Sequence, residues 1–127
     1  MWLVMAGMWL GARLPWALQR RLGALIGRAL LRLVPDRREA ARTNLALCLP
    51  ELDESQRETL LRHSFEDLGI GMFEFARAWW GSIAPMRRDV SIEGLDKLLA
   101  LQAQGRGVLL ISGHFMTLET CGRLLCD

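Results

Sequence analysis

Four consecutive apolar residues, Val108-Leu-Leu-Ile111, bounded by Gly107 and Ser112-Gly113, constrain the fold of this chain more than any other stretch. A run this short and without polar alternation reads as a strand buried on both faces, which implies a parallel sheet covered by helices. Ser112-Gly113 punctuates the run, and Phe115 to Leu125 reads as a helix of mixed polarity. The expected fold class is therefore α/β, with His114 at the turn from strand into helix. That turn lies at the carboxyl edge of a sheet, where open α/β folds place ligands and chemistry.

Glu119 follows His114 by five positions. Within one helix that separation is about 500° of rotation, so the two side chains would not share a face. They meet only if His114 stands before the first turn and Glu119 lies inside the helix. A neutral imidazole can take a proton from an alcohol as the alcohol attacks a carbonyl, and a carboxylate on its other nitrogen fixes the tautomer. His114 is accordingly the candidate general base and Glu119 its orienting carboxylate. Ser112 is no obvious nucleophile, since Ser-Gly-His is not the Gly-x-Ser-x-Gly elbow. Attack by an external hydroxyl suits the residues better, with helix N-terminal N–H groups to hold an oxyanion. The spacing alone leaves open a plainer alternative, a turn histidine that is only a hydrogen-bonded surface residue.

The block Gly107-Val-Leu-Leu-Ile-Ser-Gly-His-Phe-Met-Thr-Leu-Glu119 resembles the His-x4-Asp/Glu block of the lipid A biosynthesis acyltransferases. Arg42-Thr-Asn-Leu-Ala-Leu-Cys-Leu-Pro-Glu51, Phe65-Glu-Asp-Leu-Gly-Ile-Gly-Met-Phe-Glu74, Ala78-Trp-Trp80 and Glu93-Gly94 also fit that family's pattern, in order. The resemblance implies a membrane-associated, glycerolipid-acyltransferase-like α/β enzyme. Such an enzyme moves a fatty acyl chain from an acyl carrier protein thioester to a hydroxyl of a lipid A precursor, without a cofactor. It also implies that His114 is the base and Glu119 its partner. Family chains are much longer, so this chain corresponds to an N-terminal portion with an unfinished α/β domain. Acylation of another glycolipid or phospholipid, and a non-catalytic membrane-bound fragment, are the alternatives.

Charge is unevenly distributed. Residues 1–42 hold eight arginines against two acids, and residues 43–127 hold eight basic against twelve acidic residues. With 51% hydrophobic residues and a mean hydropathy of +0.17, this front end suits the anionic face of a membrane rather than nucleic acid. Met1 to Ala12 contains no charged side chain, and one arginine, Arg13, precedes Arg20. An eighteen-residue helix here would span about 27 Å, close to the hydrocarbon thickness, although Arg13 and Pro15 interrupt it. Trp2, Trp9 and Trp16, spaced seven apart, would lie near one stripe of that helix. From Pro15 to Val34, Arg21, Arg28 and Arg32 share one arc, while Leu22, Ile26, Ala29, Leu30 and Leu33 fill the opposite side. This is a basic amphipathic pattern suited to the headgroup layer or, alternatively, to packing on its own domain. Arginine excess after the anchor argues that this side is cytoplasmic, and the resemblance implies that the membrane is the bacterial inner membrane.

Three units are expected: an anchor and basic helix over 1–34, a helical region over 35–85, and an opening β-α-β-α over 86–127. Pro35-Asp36 is read as ending one helix and capping the next, to Cys48. Asp53-Glu-Ser-Gln56 is a capping-box start for a helix to Leu68, with Leu60, Leu61, Phe65 and Leu68 as its core stripe. Gly69 and Gly71 are read as interrupting the helix, which then resumes to Trp80. Met72, Phe73 and Phe75 are candidate acyl-chain contacts, and Arg87-Arg88 a candidate phosphate contact. His63 reads as structural, and His-Glu-x-x-His is absent, which disfavours a zinc hydrolase. Val90 to Glu93 is a candidate second strand and Leu95 to Gln104 the crossover helix of a right-handed β-α-β unit. Cys48, Cys121 and Cys126 lack metal or redox spacing and read as small buried residues.

Overall fold

The computed structural model describes every residue except Met1, Ile83, Asp89 and Asp127. Its elements are helices in the order α1 (Trp2–Gly11), α2 (Trp16–Leu33), α3 (Pro35–Cys48), α4 (Glu54–Trp80), α5 (Ala84–Arg88), α6 (Leu95–Ala103) and α7 (Leu118–Cys126).

The long helix α4 organises the molecule. It begins as the sequence requires: the Asp53 carboxylate accepts from the Gln56 N–H at 2.8 Å, and Gln56 Oε1 accepts from the Asp53 N–H at 2.9 Å. Two otherwise orphaned N–H groups are thereby satisfied. Helix α4 then runs unbroken to Trp80, so Gly69 and Gly71 do not interrupt it. Their missing side chains serve packing instead. A Cβ on Gly69 would lie 2.0 Å from the Gly23 carbonyl oxygen, and one on Gly23 would lie 2.6 Å from Ile70 Cα. Gly23 and Gly27 stand four apart on one face of α2, and there the α2 and α4 backbones touch. This is the most extensive helix pair in the fold.

That crossing decides which side of α2 packs on the rest of the chain. Its buried seam is Gln19, Gly23 and Gly27, not the leucine-rich side. Leu18, Leu25, Ile26 and Leu33 remain exposed beside Arg21 and Arg32, and Arg28 reaches Glu66 of α4 at 3.3 Å.

The N-terminal helix ends at Gly11, because Pro15 has no N–H to continue it. Trp16 consequently belongs to α2, and the seven-residue tryptophan stripe is broken. The turn is held by Gln19, which has no exposed surface; its Nε2 donates to the carbonyls of Leu14 at 2.8 Å and Ala12 at 3.3 Å. Among the described residues, no helix is long and apolar enough to cross a membrane.

Helix α3 starts at Pro35 with Val34 as its N-terminal flank, and Asp36 lies inside its first turn rather than capping it. It packs on the N-terminal half of α4, which buries Leu61 and Phe65. Complete burial of such side chains stabilises by about 1.5–3 kcal/mol each. Leu68, on the same stripe but nearer the C-terminal half of α4, is exposed.

The expected strands do not form. Val90 to Glu93 and Val108 to Ile111 carry no ladder, and Leu109 and Ile111 are 86% and 90% exposed. A strand is stabilised by its neighbours' hydrogen bonds, and these two segments do not pair with each other. The structure of the described residues is thus all helical where α/β was expected. All three cysteines are exposed rather than buried, being on outward faces of α3 and α7.

Candidate functional site

Helix α7 and the coil just before it dock on the C-terminal half of α4. Met116 Cε sits 2.9 Å from where a Gly71 Cβ would stand, Leu124 is buried, and Arg123 Nη1 donates to the Ala78 carbonyl at 3.0 Å. The Thr117 carbonyl accepts from the Cys121 N–H at 2.9 Å, which opens the helix just after the His114 segment. The helix therefore starts at Leu118 rather than at Phe115. His114 lies in exposed coil before it, and Glu119 is half-buried in its first turn. This is the order of coil histidine and helical acid that the spacing requires. Among the described residues, no hydrogen bond or ion pair joins the two side chains, and neither makes one elsewhere.

The docked helix has a different surface on each flank. On one side Glu119 lines a cleft of about 300 Å³ with Ala78, Trp79, Gly122, Arg123 and Cys126. Trp79 is the end of an exposed apolar strip on α4, formed with Leu68, Met72 and Phe75. The Phe75 and Trp79 rings lie 6.0 Å apart between centroids. On the other flank, Thr117 and Thr120 line a cavity of about 340 Å³ with Trp16, Glu74, Arg77, Pro85 and Val90. The Arg77 guanidinium stands 5.0 Å from the centroid of the Trp16 ring.

Sequence reasoning did not single out Glu74. It is the acid inside the apolar run Gly71-Met-Phe-Glu-Phe-Ala76, and that was the signal available. Burial and repulsion by Asp67 hold its carboxyl above the usual glutamate range, outweighing the attraction of Arg77 and Arg20. Among the described residues, no hydrogen bond or ion pair satisfies it.

The other expected site residues are dispersed. Met72 faces outward on the apolar strip, but Phe73 turns away toward α1, its ring 3.0 Å from where a Gly11 Cβ would stand. Adjacent residues on a helix point about 100° apart, so the two do not line one groove. Arg87 and Arg88 lie exposed on α5, and Arg87 borders a small cleft with Val90, Ile92, Leu95 and Leu124. A cleft of about 660 Å³ between α2 and α4 mixes Arg20, Arg21 and Arg28 with Glu66 and Asp67. No group of three or more His, Cys, Asp or Glu side chains is arranged to hold a metal among the described residues.

Comparison with known proteins agrees with the motif. The family model described as bacterial lipid A biosynthesis acyltransferase matches residues 1–127. A lipid A biosynthesis lauroyltransferase of Escherichia coli (strain K12) is 35% identical over 122 residues, covering 96% of this chain and 40% of the relative. A lipid A biosynthesis palmitoleoyltransferase of the same strain is 38% identical over 125 residues, covering 98% of this chain and 40% of the relative. A lipid A biosynthesis acyltransferase of Haemophilus influenzae is 34% identical over 114 residues, covering 88% of this chain and 36% of the relative. The chain thus spans about two fifths of the length of these relatives. No solved structure matches it significantly. Matched along its whole length by the family model, the chain belongs to the bacterial lipid A biosynthesis acyltransferases.

Proposed function

We propose that this chain contributes the base and the membrane-facing helices of an enzyme that acylates a lipid A precursor from an acyl carrier protein thioester. The observation that carries the reading is His114 standing free ahead of α7 with Glu119 in the first turn, inside a family match over the whole chain. His114 takes the acceptor hydroxyl proton as the oxygen attacks the thioester carbonyl. The C–O bond forms, the C–S bond breaks, and the imidazolium returns the proton to the departing thiolate. Glu119, brought to the other ring nitrogen by a side-chain rotation, stabilises that imidazolium. No cofactor is required by this chemistry.

The remaining expectations fit the same reading. Val108 to Ile111 is an unpaired apolar segment suited to join a sheet, and the relatives' greater length supplies sequence for one. The exposed strip of Leu68, Met72, Phe75 and Trp79 adjoins the Glu119 cleft and suits a fatty acyl chain. Its span is about 16 Å, comparable with an extended chain of roughly a dozen carbons. The exposed leucines of α2 flanked by Arg21 and Arg32 suit the anionic inner leaflet, with the site on the cytoplasmic side.

The test uses the complete gene product with acyl carrier protein thioester and a lipid A precursor, reading the product by mass. His114→Ala and Glu119→Ala should abolish acyl transfer while leaving the protein folded and membrane-bound. Full activity in both variants would end the assignment. Offering labelled donor with glycerophospholipids instead separates the acceptor classes.

A further inference from the structure

We propose that the cavity formed by Trp16, Glu74, Arg77, Thr117 and Thr120 holds the hydroxylated sugar headgroup of the acceptor, with the Glu74 carboxylate accepting a hydrogen bond from a sugar hydroxyl. The inference rests on the acyltransferase reading and adds a binding site to it.

Four observations converge. Glu74 is a half-buried carboxyl that, among the described residues, has Arg77 and Arg20 near enough to attract it but makes no hydrogen bond or ion pair, an arrangement that costs stability and is characteristic of ligand sites. Thr117, just ahead of α7, and Thr120 in its first turn line the same cavity and present hydroxyls that both donate and accept. Arg77 adds guanidinium donors beside the flat Trp16 ring. Pro85 and Val90 complete the wall with apolar surface. A sugar ring has this same division, with hydroxyls at its edge and C–H groups on its faces. At about 340 Å³ the space is at the small end of ligand cavities. A fatty chain would leave Glu74 and Arg77 unsatisfied, and a phosphate would be repelled by Glu74.

Position supports the same occupant. Thr117 and Thr120 bracket Glu119 in sequence but face the opposite flank of α7 from the Trp79 cleft. A glycolipid acceptor lodged by its sugar on this side leaves the apolar cleft free for the acyl chain. The acceptor's hydroxyl then approaches the His114 turn between them.

The experiment labels the complete gene product with an alkyl glucosaminide carrying a diazirine on the sugar, beside a matched alkyl probe without sugar. Crosslinks are mapped by mass spectrometry. The expected result is sugar-dependent labelling of peptides containing Trp16 and Thr117 to Thr120, competed by unlabelled glucosaminide. Labelling should fall about tenfold or more in Glu74→Leu and in Thr120→Val, the loss expected when hydrogen bonds to a bound hydroxyl are removed. Thermal melts establish that both variants are folded. Labelling elsewhere, no sugar dependence, or unchanged labelling in both folded variants would overturn the site. Acyl transfer is measured in parallel. Product formation with an unlabelled cavity refutes the sugar site alone, whereas a labelled cavity without product refutes the acyltransferase reading alone.

Discussion

Gly27 lies so close to Phe65 that a Cβ on the glycine would stand 2.0 Å from the phenylalanine's carbonyl oxygen. The obstructing atom belongs to helix backbone, so it cannot rotate away. Helices α2 and α4 would have to separate to admit a single methyl group. Gly27→Ala and Gly69→Ala should therefore each destabilise by about 1–3 kcal/mol or more, measured by chemical denaturation. Gly7→Ala is the control. Nothing lies within 4 Å of that position, and alanine there should be neutral or stabilising by up to about 1 kcal/mol.

Gln19 holds the reversal between α1 and α2. Its amide is the side-chain donor to the carbonyls of Ala12 and Leu14, where the helical ladder has ended. Gln19→Ala leaves both carbonyls without that donor and opens a cavity. A loss of about 1–3 kcal/mol is expected, with faster hydrogen exchange in α1 than in α4. A variant as stable as the parent would show that the turn is held by Pro15 alone.

Glu74 gives a pH signature. Its folded-state carboxyl is raised by burial first and by Asp67 second, with Arg77 and Arg20 opposing. The favourable contribution of the protonated group is complete below the ordinary glutamate pKa and is lost as pH rises through the raised value. Glu74→Gln cannot ionise and escapes that loss. Parent and variant should therefore differ little below a pH of about 4, and the variant should gain relative stability toward a pH of about 7, measured as Tm across the range. A variant that becomes relatively less stable over that interval would mean that Glu74 has a folded-state partner.

The apolar strip makes a prediction about the donor. If the acyl chain lies along Met72, Phe75 and Trp79, then Trp79→Ala and Met72→Ala should alter discrimination between donors of different chain length. Contacts of this kind shift preference by about tenfold for each methylene's worth of packing. Competing mixed-length acyl carrier protein thioesters and weighing the products reads this directly. An unchanged product distribution in both variants would remove the strip from the donor site.

Much of the helical framework was legible because its causes are local. Asp53 and Gln56 form the capping box that their spacing announces, and Pro15 ends α1 where its missing N–H requires. Leu61 and Phe65 are buried as the helical stripe implies, and Glu119 enters a helix while His114 remains outside it. Local periodicity misassigned Gly69 and Gly71, because glycine is both a helix breaker and the residue that permits backbone contact. It left two uses open for the leucine side of α2, headgroup layer or packing, and gave no sign of the buried seam, since hydropathy does not register Gln19, Gly23 and Gly27 as a packing face.

The order of helices, the capping at Asp53 and the motif that identifies the family were fixed by residues near one another in the chain. Tertiary packing decided which side of α2 is buried, how far Glu74 is buried, and which surfaces flank Glu119 on α7. Each of those depends on segments far apart in sequence: Gly27 on Phe65, Met116 on Gly71, Trp16 on Arg77. The apolar run at Val108 to Ile111 marks the same boundary from the other side. Its composition favours a strand, but a strand is a relation between segments, and among the described residues that run has no neighbour to complete it.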